Sequence, residues 1–146
     1  MYQLVYSSKA RPDIKSEEIS SILESARHFN SNNQITGCLV YFDYQFIQFL
    51  EGDERIIRQL YDKIKIDDRH FDVVKIYSER FDNRVFSDWT MAYHELTDKD
   101  INYLKEEIFV DNLLNFSYLT EKPTSSVRLF WLYVNEILLI KDQTLK

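Results

Sequence analysis

Two apolar runs of strand length, Ile35 to Phe42 and Gln45 to Leu50, are separated by only Asp43-Tyr44. So short a connection joins strands that run antiparallel side by side, so the centre of this chain is a β-hairpin. One side chain breaks the second run. Gln48 lies in the middle of Phe46-Ile47-Gln48-Phe49-Leu50, just before Glu51-Gly52. A neutral amide inside a buried strand is destabilising unless it finds hydrogen-bond partners. Either the fold or a ligand supplies one.

The flanking segments fix the fold class. Tyr2 to Ser7 alternates as a strand, with Leu4 and Tyr6 on one face. Ala10 to Lys15 contains Pro12 and reads as a loop. Ser16 is placed to cap a helix whose first turn holds Glu17 and Glu18, where acids suit the helix dipole. Ile19, Ile22, Leu23 and Ala26 follow at helical spacing, and Asn30 to Gln34 reads as a polar loop. Beyond Gly52-Asp53, a second helix carries Ile56, Ile57, Leu60, Tyr61 and Ile64 on one stripe. Val73 to Tyr77 and Ser87 to Tyr93 read as further strands, the last with Trp89, Met91 and Tyr93 on one face.

The order β-α-β-β-α-β-β predicts an α+β, ferredoxin-like domain, with two helices on one face of a mixed sheet. A flat ligand could lie between those helices and be read from the sheet. This domain is expected to span residues 1–96. Residues 97–146 are expected to form a C-terminal helical extension. Thr97 and Asp100 open a helix with Ile101, Leu104 and Ile108. Pro123-Thr124 opens another with Val127, Phe130, Trp131, Val134 and Leu138. Leu129, Leu132 and Tyr133 make this last helix apolar nearly all round, so it should be covered on more than one side, by the sheet or by another subunit.

Bulk properties exclude several classes. A chain of 146 residues buries enough surface to fold as one domain without disulfides, and its single Cys38 offers none. The formal charge of −6 argues against a nucleic-acid partner, which wants a basic face. No apolar stretch reaches membrane-spanning length and no signal peptide precedes the first strand, so a soluble, cytoplasmic protein is expected. Cys38 reads as a small core residue rather than a nucleophile. His28, His70 and His94 show no metal-ligand spacing. Asp67 and Asp68 read first as a solvated helix end. No Ser-His-Asp set or phosphate-cradling glycine loop can be drawn. Taken singly, Tyr6, Trp89 and Met91 are most often packing residues.

Taken together, these residues carry a resemblance. Leu4-Val5-Tyr6-Ser7-Ser8, Asn30 with Ile35-Thr36-Gly37-Cys38-Leu39-Val40-Tyr41, Phe46-Ile47-Gln48-Phe49-Leu50-Glu51-Gly52, Asp67-Asp68-Arg69-His70 and Phe86-Ser87-Asp88-Trp89-Thr90-Met91 occur in order at compatible spacing. The set resembles the BLUF family, the sensors of blue light using FAD. One departure is Phe29, where the family often has His or Asn beside the flavin asparagine; a polar contact to the ring edge is lost there.

The resemblance implies non-covalent FAD, with FMN or riboflavin as substitutes. Ile22 and Ile64 would flank the ring, and Asn30 would meet its imide edge. Lys63, Asp67, Arg69 and His70 would form the end of the site that receives the phosphates, the cations among them holding the anionic groups. Tyr6, Gln48, Trp89 and Met91 would be the photoactive set. In that scheme Tyr6 gives an electron and a proton, Gln48 relays the proton and returns rotated or as a tautomer, and the last strand carries the change onward. No substrate is turned over, so no enzyme activity is expected. With about 50 residues beyond the sensor, output is expected through a homo-oligomer or a downstream signalling protein. A flavin-dependent redox enzyme or redox sensor on the same pocket is the alternative. A nucleic-acid binder using sheet aromatics is disfavoured by charge.

Overall fold

The computed structural model describes residues 1–84, 92–95 and 124–144. Within them the elements run β1 (Tyr2–Ala10), α1 (Ser16–Asn32), β2 (Thr36–Phe42), β3 (Gln45–Gly52), α2 (Glu54–Lys65), β4 (His70–Arg80), β5 (Ala92–Glu95) and α3 (Ser125–Thr144). The five strands form one sheet in the order β4-β1-β3-β2-β5. Pairing is antiparallel except between β2 and β5, so the sheet is mixed. This is the expected α+β arrangement, a ferredoxin-like sheet with one added strand.

The hairpin of β2 and β3 turns on Asp43 and Tyr44, both with positive φ (46° and 63°). That left-handed pair matches the twist of adjacent strands. Close approach of the same two strands requires Gly37. A Cβ there would lie 2.0 Å from the Phe49 carbonyl oxygen.

Side-chain alternation gives the sheet two different faces. One carries Leu4, Tyr6, Leu39, Tyr41, Phe46 and Leu50, packed with Leu23 of α1 and Ile57 of α2 in a single core cluster. The other carries Val5, Ile47 and Phe49, all fully buried. The C-terminal helix covers this second face. Val127, Phe130 and Val134 of α3 are buried, and Phe130 meets Phe49 edge to face at 6.2 Å. Its start is pinned to β4, where Glu79 Oε1 accepts from both the backbone N–H and the hydroxyl of Ser126, at 2.9 Å each. Leu132 and Tyr133 remain exposed.

Three local expectations change. Ser16 is the first helical residue of α1 and not its cap; Lys15 holds the cap position without a side-chain bond. The polar segment Asn30 to Gln34 is not simply a loop, because α1 runs on to Asn32. Gln34 adopts φ 55°, and the Ile35 N–H reaches back to the Asn30 carbonyl at 2.9 Å. This is the Schellman closure of a helix end. By contrast α2 has a side-chain cap, with Asp53 accepting from the Ile56 N–H. Strand β4 is longer than the Val73 to Tyr77 run. Trp89, Met91, Trp131 (as a side chain), the helix expected from Thr97 and the boundary after residue 96 lie outside the described residues.

Candidate functional site

A cavity of about 310 Å³ opens between α1 and α2 above the sheet. Volumes of this order suit a small ligand or the ring portion of a larger one. From α1 it takes Ile22, Ser25, Ala26, Phe29 and Asn30, and from α2 Leu60, Lys63 and Ile64; Asp67, Arg69 and His70 follow that helix. The floor is Tyr6, Leu39, Phe46 and Gln48. Seven of the fifteen lining side chains are apolar, and Tyr6, Asn30 and Gln48 are polar groups set among them. That donor set fits a flat aromatic ring system with a hydrogen-bonding edge, as a flavin has.

Tyr6 and Gln48 face each other by register. They are directly paired residues of adjacent antiparallel strands, so their side chains leave the same face of the sheet. Both are buried, and the Tyr6 hydroxyl donates to Gln48 Oε1. Burial pushes the Tyr6 phenol well above its ordinary pKa, with Tyr61 and Asp67 adding to the shift. A charged phenolate is poorly solvated there, so Tyr6 stays protonated. The amide of Gln48 can accept from Tyr6 and still donate elsewhere.

Asn30 reaches the cavity because the Schellman closure holds its backbone in the last turn of α1. Its side chain is almost fully buried. Phe29, beside it, is half-buried and receives the Lys63 ammonium 5.6 Å from its ring centroid. The departure at Phe29 therefore replaces a polar contact with an aromatic wall that draws Lys63 across the gap between the helices.

The turn after α2 is organised by Asp67. Its carboxylate accepts from the Arg69 backbone N–H at 3.0 Å and from the guanidinium at 2.9 Å (Nε to Oδ1) and 2.5 Å (Nη2 to Oδ2). Those hydrogen bonds hold the Asp67 carboxyl below the usual range and raise Arg69. His70 lines the cavity, but both ring nitrogens have protein partners. Nε2 donates to the Ile64 carbonyl at 2.5 Å, and Nδ1 lies 2.8 Å from the Ser8 hydroxyl. His70 thus ties α2 to β1.

The structure brings nine expected residues to one cavity: Tyr6, Ile22, Asn30, Gln48, Lys63, Ile64, Asp67, Arg69 and His70. The photoactive positions Trp89 and Met91 fall outside the described residues. Sequence reasoning missed Ser25, Ala26 and Leu60 as lining residues. Their signal was helical spacing, since 22, 25, 26, 29 and 30 recur on one face of α1, and 60, 63 and 64 on one face of α2. By sequence, Leu39 and Phe46 read as strand residues without a site role, although each stands beside Gln48 on the same face.

Residues 1–92 match the family described as sensors of blue-light using FAD, BLUF. The chain belongs to the BLUF family. As a BLUF member it senses blue light through a bound flavin, and BLUF domains are photosensors rather than enzymes in themselves. It is 36% identical over 96 residues to photoactivated adenylate cyclase subunit alpha of Euglena gracilis, covering 64% of this chain and 9% of that protein. It is 29% identical over 93 residues to the blue light- and temperature-regulated antirepressor BluF of Escherichia coli (strain K12), covering 64% and 23%. The matched region is thus a small part of both curated relatives. Among solved BLUF structures, the photo-activated state of BlsA aligns with a TM-score of 0.67 at 27% identity, over 94% of each chain. The dark state of BlrB aligns at 0.65 and 28%, over 77% of this chain and 83% of that one. Among the described residues, no helix is long and apolar enough to cross a membrane.

Proposed function

We propose that residues 1–96 form an FAD photosensor whose output segment is residues 97–146, and that the Tyr6–Gln48 pair is its switch. The hydrogen bond from Tyr6 to Gln48 Oε1 at the cavity floor carries this reading. Ile22 and Ile64 flank the ring, and Asn30 answers its imide edge with a donor and an acceptor. Arg69 and Lys63 face the cavity as cations, which favours a phosphate-bearing flavin, FAD, over riboflavin. Asp67 aims Arg69, and His70 fixes the spacing between α2 and β1.

When bound, the flavin supplies blue-light absorption and, once excited, a strong one-electron acceptor. Tyr6 is the donor. Loss of an electron makes its phenolic proton strongly acidic, and the hydrogen bond to Gln48 carries that proton away. The amide then settles rotated or as a tautomer. A carboxylate in its place would have to ionise in a buried site. Trp89 and Met91 pass the change onward to the C-terminal segment. Output then goes to a protein partner or through homo-oligomer assembly, in the cytoplasm. Light control of a partner also agrees with relatives named as photoactivated cyclases.

The test is a light-minus-dark absorption spectrum of the purified protein, with Gln48→Leu beside it. The wild type should be yellow and show a small reversible red shift, and Gln48→Leu should bind flavin without one. A normal red shift in Gln48→Leu would refute the switch.

A further inference from the structure

The Tyr6 ring has an aromatic neighbour outside the cavity. Tyr61, on the stripe of α2 that faces the sheet, lies with its ring centroid 5.6 Å from that of Tyr6, the planes tilted by 50°. Tyr61 does not line the cavity. It is half-buried, whereas Tyr6 is almost fully enclosed. The Lys65 ammonium stands 5.1 Å from its ring centroid, held by Asp62 at 2.9 Å. The two tyrosines form a line from the cavity wall to the protein surface.

Two phenols share the same intrinsic readiness to lose an electron, so their surroundings decide which one keeps the vacancy. Tyr6 is enclosed, and its proton can travel only as far as Gln48. Tyr61 can release its proton to bulk water. We propose that Tyr61 is a second electron donor, which refills Tyr6 after photo-oxidation and so drains the light reaction in competition with the Gln48 rearrangement. The proposal rests on Tyr6 being the primary donor.

The step balances between side chains. One electron passes from Tyr61 to oxidised Tyr6. Tyr6 takes back from Gln48 the proton it had given, and the Tyr61 phenolic proton leaves to water. The electron first lost by Tyr6 stays on the flavin. A positively charged Tyr61 ring is disfavoured beside Lys65, so electron and proton leave together, giving a neutral radical at a site that reaches solvent. Tyr6 and Gln48 are returned to their starting composition without a signal.

The test illuminates flavin-loaded protein with a nitroso spin trap and maps the adducts by peptide mass spectrometry. Wild type should carry an adduct at Tyr61, lost in both Tyr61→Phe and Tyr6→Phe. At equal light dose, Tyr61→Phe should form more of the red-shifted product, because its drain is closed. Absence of an adduct at Tyr61 in wild type, with a red shift that Tyr6→Phe abolishes, would overturn the proposal and leave Tyr6 as the donor. An adduct at Tyr61 in Tyr6→Phe would also overturn it, by showing oxidation that bypasses Tyr6. A red shift that persists in Tyr6→Phe would remove the donor assignment itself, and the drain with it.

Discussion

Truncating Phe130 to alanine should release α3 from the sheet while leaving the cavity intact. Phe130 is fully buried against Phe49, itself fully buried, on the sheet face opposite Tyr6 and Gln48. Removing a buried phenylalanine costs about 3–5 kcal/mol. Its edge-to-face pairing accounts for about 0.5–1.5 kcal/mol of that kind of loss. The other described anchors, Val127 and Val134, are smaller, worth about 1.5–3 kcal/mol each when fully buried. The Glu79–Ser126 bonds hold only the start of the helix. A helix of 20 residues has little stability without a packed face. Local opening of α3 should therefore become easier by a factor of about a hundred or more, since each 1.4 kcal/mol is about tenfold. Hydrogen exchange read by mass spectrometry measures this directly. Peptides from α3 should exchange faster by that factor, while peptides from β1 and β3 and the flavin absorption stay as in wild type. Unchanged protection of α3 would refute the packing argument. Loss of flavin together with α3 would refute the independence of the two faces.

Other outcomes follow from single contacts. Tyr6→Phe should abolish the light-induced shift and lower stability in urea by about 1–3 kcal/mol, because it takes a donor from the buried Gln48 Oε1. Gly37→Ala should lower the yield of folded protein severely, because its Cβ would meet the backbone of β3 at 2.0 Å and paired strands cannot part cheaply. Stability should fall as pH drops from about 4.5 to about 2, because Arg80 and then Arg58 hold the Glu54 carboxyl down to about 2. A depressed carboxyl stabilises the fold above its unfolded pKa and loses that effect as pH falls through the folded one. Glu54→Gln should flatten this acid limb in pH-dependent melts, and added salt should do so in part, since the pair is exposed. Asp67→Asn should act in the same direction at acid pH. It should also loosen flavin binding, read by fluorescence titration, because Arg69 loses the carboxylate that aims it.

The sheet and the Tyr6–Gln48 face were legible because strand periodicity is local. Alternation placed Leu4 with Tyr6, and a two-residue turn paired β2 with β3. The end of α1 was not legible. Asn30 to Gln34 is polar enough to look like a loop, and nothing local reveals that Gln34 turns left-handed to close a helix end. The roles of the aromatic residues were divided in the same way. Phe29 was visible as a departure from the family pattern, but its contact with Lys63 joins two helices far apart in sequence. Tyr61 was legible as part of an apolar stripe. Its ring contact with Tyr6 depends on how α2 settles on the sheet.

The sequence by itself determined the strand-helix order and the faces of each element, because side-chain direction follows from periods of two and 3.6; the polar residues expected in one pocket followed from the resemblance to the BLUF motifs. Only the tertiary structure decided which of those residues meet. It paired Tyr6 with Gln48, committed both nitrogens of His70 to protein partners, set Tyr61 against Tyr6 and laid the apolar C-terminal helix on the second sheet face. Each of these depends on the register between strands and the seating of a helix on a sheet, which are settled by contacts between segments distant in the chain.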